Sequence, residues 1–445
     1  MSDKIVILGN GFDLRHYLPT KYNHLITILR VIENLDFDNY SEVSFEDLFG
    51  NLFREKDEWF YEKIKELYET AEINFDIEEL KSIQGRIKTN NWFQYLKSVE
   101  DNKIETWIDF ETEIERVLKL ILSYFDHTSK GTYKYPSYTL SSPTGDNFYF
   151  LHYESENFIS NNLQINILKF FKLFHLDSDR ELVVINNDYI LNIEGKIQYY
   201  KEKYFFDFIY KSLEEFTGVF NDYIEKIVNV FYGNFKEEKK ESFIKVNNDF
   251  LFDKVHKIFS FNYTNTYQNL YKLHSENENI SRGLSQSGYF NDIDFLHGKS
   301  IKNWSNNLDE LKIVLGVDDI DPLLKNHKLF QFTKYFQKLH KGTDYIFLHE
   351  IIKTLARPTK GMIDYTFYFW GHSLDISDKE YIIDVFKIVN ETKSIIIIFY
   401  HSISGKADQL KNLLNIIDKN TVQNMMKKKT LTFIEATPEN LFEQL

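Results

Sequence analysis

The run Lys4-Ile-Val-Ile-Leu8 stops abruptly at Gly9-Asn10-Gly11, and this one feature narrows the fold of the chain most. A strand that is apolar on both faces needs cover on both, as in a parallel sheet flanked by helices. Glycines directly after such a strand let the backbone turn sharply. The same texture returns after Asn247, where Val255 to Phe261, Lys312 to Leu315, Tyr365 to Trp370, Ser394 to Tyr400 and Thr430 to Ile434 read as strands. Ser377 to Val389 and Gly405 to Ile417 carry helical periodicity between strands, as the crossovers of a parallel sheet require.

From about Tyr22 to Lys245 the pattern is different: long helical-period segments charged on one face, broken by a turn-rich aromatic patch from Lys130 to Gly145. At about 100° per residue, Ile104, Trp107, Ile108, Ile114, Leu118 and Ile121 share one stripe of a helix spanning Ile104 to Phe125. Glu111 and Glu115 fall inside that stripe and are expected to face protein or a ligand, whereas Asp109 and Glu113 lie away from its centre. The expected architecture is a doubly wound α/β domain built from residues 1–30 and 250–445, split by a mainly helical insertion over 31–249.

Composition removes several function classes. The chain's 445 residues include 40 Phe, 29 Tyr and 5 Trp, which predicts a large aromatic core with internal partners for the tyrosine hydroxyls. Lys and Arg number 53 against 67 Asp and Glu, and the net charge of −14 disfavours bulk attraction to nucleic acid. The absence of cysteine removes disulfides, thiolate nucleophiles and thiolate metal sites, and it suits a reducing cytoplasm, the expected location. The most apolar stretch, Ser394 to Tyr400, is only strand-length, so no membrane span is expected.

Four strand-end segments carry the candidate chemistry. Gly9-Asn10-Gly11-Phe12-Asp13 offers small residues through which backbone N–H groups reach a phosphate, although Asp13 capping a helix would leave the same residues. Ser260-Phe261-Asn262-Tyr263-Thr264-Asn265-Thr266-Tyr267 follows a strand where open α/β sheets bind ligands, and it also suits an Asx-turn. Leu296-His297-Gly298 pairs a proton-exchanging ring with a residue that permits close approach, although a lone His is more often structural. Gly371-His372-Ser373-Leu374-Asp375-Ile376-Ser377-Asp378 again follows a strand and opens a helix, with capping by Ser377 or Asp378 as its ordinary use. Asp375 stands where a nucleophile elbow needs its second Gly, so a hydrolase triad is disfavoured. His340 and His349 lack zinc spacing, and no metal is expected.

Together with Leu18-Pro19-Thr20-Lys21-Tyr22 and Trp107-Ile108-Asp109-Phe110-Glu111, these segments resemble the bacteriophage abortive-infection AbiH family. That resemblance covers nearly the whole chain and implies a role in stopping the growth of phage-infected cells. The succession of glycine turn, Asn after a strand, His-Gly and Gly-x-Ser-Leu also resembles the sirtuin-like domains that bind and hydrolyse NAD in defence systems. This second likeness implies a Rossmann-like, sirtuin-like sheet with His297 and Asn262 catalytic. It also implies that Gly9, Asn10, Gly11, Gly371 and Ser373 bind NAD as substrate or ligand. Asp13 and Thr264, in the same strand-end segments, are further nucleotide-binding candidates, and Glu111 is a further pocket candidate if the helical insertion folds over the site. Thr264 stands where the sirtuin pattern has Asp, Asn10 stands where it has Ala, and without cysteine the zinc module of the deacylases cannot form.

The leading expectation is an antiphage effector that binds NAD or a related nucleotide and hydrolyses its nicotinamide N-glycosidic bond. A non-enzymatic nucleotide-gated sensor or scaffold is the second reading. A nucleic-acid-cleaving toxin using a basic patch such as Lys427 to Lys429 is the third. The expected partners are a small-molecule nucleotide and a phage trigger. Self-association suits an effector that must stay off until triggered.

Overall fold

The apolar N-terminal run is the central strand of a six-stranded sheet, seen in a computed structural model that describes residues 3–99, 107–129, 167–177, 182–193, 196–239, 255–272, 293–318, 325–343, 347–348 and 364–437. In chain order the strands are β1 (Asp3–Leu8), β2 (Val255–Ser260), β3 (Ile293–Phe295), β4 (Tyr365–Trp370), β5 (Ile395–Tyr400) and β6 (Leu431–Glu435). Every pairing is parallel, and the spatial order is β3-β2-β1-β4-β5-β6. Doubly wound nucleotide-binding sheets share this order, with ligands bound where it reverses, here between β1 and β4.

Burial explains why these segments are strands. Ile5 to Leu8 of β1 and all six residues of β4 are buried, as expected of strands covered on both faces. The helix α2 (Lys379–Glu391) buries Tyr381, Ile382, Val385, Phe386, Ile388 and Val389, the spacing of one helical face. These side chains join the core formed by Phe367, Phe369, Ile396 and Ile398. A second crossover helix, α3 (Ile403–Ile416), contributes Leu413 and turns Gln409 inward to donate to the carbonyls of His372 and Phe399.

Contacts divide the chain into two units. The first comprises 1–81, 220–314 and 338–445 and contains the sheet; the second comprises 82–219 and 315–337. The second includes the helix Trp107–Ser129, on which Ile114, Leu118 and Ile121 are buried as the periodicity requires. It also contains two antiparallel hairpins, Phe174–Asp177 with Leu182–Ile185 and Ile190–Ile193 with Lys196–Tyr200, within a stretch whose sequence reads as helical. Ile104 and the patch from Lys130 to Gly145 lie outside the described residues.

One expected strand is absent. Lys312 to Leu315 makes no ladder: Val314 N–H donates to the His297 carbonyl, while the carbonyls of Ile313 and Val314 accept from Lys341 Nζ and Tyr263 Oη. With side chains taking these backbone groups, the segment is an extended strap and not a sheet strand. Conversely, β3 has three residues, too few for its pattern to register in sequence.

Register lines up the strand ends. Leu8 pairs with Trp370 on one side and with Ser260 on the other, and Ser260 pairs with Phe295. Four strands therefore finish on one row, and Gly9, Asn262, His297 and Gly371 follow within two residues. The junction of β1 and β4 is drawn tight by backbone alone: Gly9 N–H donates to Trp370 O at 2.9 Å and Gly11 N–H to Gly371 O at 2.8 Å. Gly371 has φ +65°, and a Cβ there would lie 2.2 Å from Phe12 N and 2.5 Å from Gly11 C.

Both constraints act on one residue, so Gly371→Ala is expected to cost at least about 2 kcal/mol. Urea unfolding should show a lower midpoint with an unchanged slope. A midpoint equal to wild type would mean that the two loops are not interlocked.

Candidate functional site

Asp13 sits in the short helix α1 (Asn10–Arg15), directly after the glycine turn, and is 1% exposed. Thr264 Oγ1 donates to its Oδ2 at 2.6 Å, Thr266 Oγ1 donates to its Oδ1 at 2.6 Å, and the Asn262 side chain adds a third hydrogen bond. Thr266 Oγ1 is also 2.7 Å from Tyr232 Oη. Its single hydrogen points at the carboxylate, so Tyr232 is the donor in that pair. The donors therefore converge on one oxygen pair.

Burial pushes the Asp13 carboxyl up from 3.8 to about 6, against the pull of Thr264, Thr266 and Asn262. Behind it, His16 Nδ1–H donates to Phe12 O at 2.7 Å, which leaves Nε2 to accept from Tyr271 Oη at 2.5 Å. Burial pushes the His16 imidazole down to about 3, so it remains neutral.

Asp13, Asn262, Thr264, Asn265 and Thr266 line one small cavity, closed on other sides by Leu8, Phe12 and Tyr267. Its free space admits about one water-sized body. Asn262 is 5% exposed, and its Oδ1 has no hydrogen-bond partner; the buried Oδ1 of Asn265 has none either. With the Asn262 amide engaged on Asp13, its carbonyl oxygen is left as an acceptor. The cavity thus favours a hydrogen-bond donor over an anion.

A second polar cluster forms around His297, two residues past β3. His297 Nε2 lies 3.4 Å from Asp378 Oδ1, and His372 Nε2 lies 3.5 Å from Asp378 Oδ2. Phe261 presses edge-on against both imidazoles, at ring-centre distances of 5.2 and 4.5 Å. Gly298 follows with φ +77°, and a Cβ there would stand 2.0 Å from Lys312 O, so the turn that carries His297 needs glycine.

The sequence-derived candidates therefore separate into groups. Asp13, Asn262 and Thr264 meet around the cavity, while His297 belongs to the Asp378 cluster. Gly9, Gly11 and Gly371 interlock, and the N–H groups of Gly9 and Gly11, expected to reach a phosphate, donate to chain carbonyls. Asn10 Oδ1 accepts from Thr20 Oγ1 at 2.8 Å, pinning the following loop. Ser373 is exposed, and its carbonyl accepts from Asn412.

Glu111 belongs to the second unit, where Lys334 Nζ lies 2.6 Å from its Oε1. Glu115 pairs with Lys119 at 2.7 Å and is more exposed than Glu113, which is engaged by Tyr95 and Arg116. Lys427 to Lys429 are exposed at a helix end. Thr266, Tyr232, Asn265, His372 and Asp378 were not singled out from sequence as site residues. The alternation Asn262-x-Thr264-x-Thr266 was their nearest signal, because residues two apart in extended chain share a side.

Among the described residues no cluster of His, Cys, Asp or Glu is arranged to hold a metal ion, and no helix is long and apolar enough to cross a membrane.

The parallel six-stranded sheet, with polar clusters at its C-terminal edge, defines an α/β protein. Within that class, residues 5–400 match the family described as bacteriophage abortive infection AbiH, and the chain belongs to it. Both clusters fall inside the match. No curated protein matches the sequence.

Because Asp13 holds its proton more tightly folded than unfolded, folding takes up a proton between about pH 4 and pH 6. Its burial therefore costs stability as pH rises through that window, by about 3 kcal/mol in all. His16 and His24, pushed down to about 3 and about 4 by burial, act oppositely, losing stability as pH falls below 6.5. Comparison with Asp13→Asn cancels the histidines. The variant's stability relative to wild type should rise by about 3 kcal/mol from pH 4 to pH 7 in urea titrations. A flat difference would mean that Asp13 is not the buried acid described.

Proposed function

We propose that this AbiH-family protein acts in phage defence by binding NAD or a related nucleotide at the strand ends of a Rossmann-like sheet and hydrolysing its nicotinamide N-glycosidic bond. The observation that carries the reading is the convergence of Asp13, Asn262 and Thr264 on one donor-seeking cavity beside the reversal of strand order. The water-sized cavity takes one ribose hydroxyl and not the whole nucleotide. Asn262 Oδ1 accepts from that hydroxyl, which fixes the sugar.

Loss of nicotinamide leaves an oxocarbenium-like ribose, and a fixed negative charge nearby lowers that barrier. Asp13 supplies the charge when ionised. His297 takes a proton from the attacking water, and nicotinamide leaves neutral with the electron pair of the broken C–N bond.

The test is incubation of the purified protein with NAD, with and without lysate of phage-infected cells, while nicotinamide and ADP-ribose are measured. Release is expected to fall at least about 100-fold in His297→Ala and in Asn262→Ala. It should also decline as pH drops through about 6, where Asp13 takes up its proton. NAD bound without release would favour the non-enzymatic sensor. Neither binding nor release would remove the nucleotide from the account.

A further inference from the structure

The residue at the start of α2 is an aspartate, the ordinary choice for capping a helix, yet the Asp378 side chain makes no capping hydrogen bond. Its carboxylate instead lies between two buried imidazoles, at 3.4 Å from His297 Nε2 and 3.5 Å from His372 Nε2. The His297, His372 and Asp378 side chains are 8%, 2% and 11% exposed. Three ionisable groups from two strand-end segments, His297 after β3 and His372 with Asp378 after β4, are thus gathered out of water, an arrangement that helix capping does not need.

The proton positions follow from the backbone. Leu374 N–H donates to His372 Nδ1 at 2.9 Å, so Nδ1 carries no proton and the ring hydrogen is on Nε2, facing Asp378. That donor is aimed by a tight turn in which the buried Leu374 takes φ +56°, an uncommon conformation for a residue other than glycine. Burial pushes the His372 imidazole down, against the pull of Asp378 and Asp375, which keeps the ring neutral. With one carboxylate oxygen facing His372 Nε2–H, the other faces His297 Nε2.

We propose that Asp378 and His372 are positioning residues for His297, a buried histidine–aspartate–histidine relay that fixes its Nε2–H tautomer and presents Nδ1 as the atom that accepts the proton from water. This rests on the nucleotide-hydrolysis reading for its substrate, but its geometry stands apart from it. In the step, the water oxygen forms the bond to ribose C1′ as the C–N bond breaks, and nicotinamide takes that electron pair. The released proton goes to His297 Nδ1 and then to solvent. Asp378, facing Nε2 of the ring, stabilises the transient imidazolium without taking its proton. Separations of 3.4–3.5 Å are longer than a formed hydrogen bond, and catalytic contacts of this kind shorten when substrate is bound.

The experiment uses the full chain with ¹⁵N-labelled histidine and reads side-chain tautomers by NMR, alongside NAD turnover. In wild type, His372 and His297 should both carry hydrogen on Nε2. Asp378→Asn should move His297 away from that state, and His372→Gln should leave the His297 tautomer in place. If NAD is cleaved, Asp378→Asn should lower kcat by about 100-fold or more with KM within about twofold, and Asp378→Glu should recover part of the loss.

An unchanged His297 spectrum in Asp378→Asn, or His297 carrying its hydrogen on Nδ1 in wild type, would overturn the relay. The expected spectra with no NAD cleavage would uphold the relay and discard the nucleotide-hydrolysis reading. Turnover with a His297 tautomer indifferent to Asp378 would do the reverse.

Discussion

The close approach of β4 to β1 is the constraint on which the rest of this site depends. Parallel strands can be paired in any register that buries their apolar residues, but only one register brings Trp370 level with Leu8. What seals it is backbone packed on backbone, with Gly9 and Gly11 on one side and Gly371 on the other, too near for any Cβ. The same row continues through Ser260 and Phe295, so segments far apart in sequence release their polar side chains at one edge. Without that alignment Asp13 would lose Thr264 and Thr266, and Asp378 would lose one of its imidazoles.

The sheet was legible because its strands are short apolar runs ended by glycine or polar punctuation. Ile5 to Leu8 of β1 and all of β4 are buried, and such runs announce themselves in composition as well as in period. Lys312 to Leu315 shows the limit of that signal: Ile313 and Val314 are as buried as strand residues, yet their backbone groups find side-chain and loop partners instead of a ladder. Burial is written in a sequence, whereas hydrogen-bond partners are a property of the assembled chain. The helices over 22–34 and 45–67 carry ordinary amphipathic patterns, which say that one face is buried but not against which neighbour. By contact, 31–81 belongs to the sheet unit.

The site was legible in its segments and illegible in its pairings. Asn262, Thr264 and His297 stood out because they follow strands, and each does lie at a strand end. That Asp13 would face two threonine hydroxyls 251 and 253 residues away has no trace in local sequence, since it is set by register across β1 and β2. Asp378 was hidden for another reason. An aspartate opening a helix already has a sufficient local explanation, and only its missing capping bond and the two facing imidazoles reveal a different role.

The two buried carboxylates have different kinds of partner, and the contrast bears on what each can do. Around Asp13 the partners are neutral hydroxyls and an amide, which lower its pKa only part of the way back against burial. Such a group holds charge near neutral pH with no counter-ion at its hydrogen-bonding positions, so it acts as a fixed field that favours positive charge and repels a phosphate. The glycine turn beside it adds to this, because the N–H groups that would have welcomed an anion are already bonded to β4 and its loop. Around Asp378 the partners are imidazoles, which can take up a proton and pair with the carboxylate. One cluster is therefore suited to stabilising charge that appears on a ligand and the other to moving a proton. On the nucleotide reading, the sugar and its glycosidic carbon belong between them, with the phosphates turned away from Asp13.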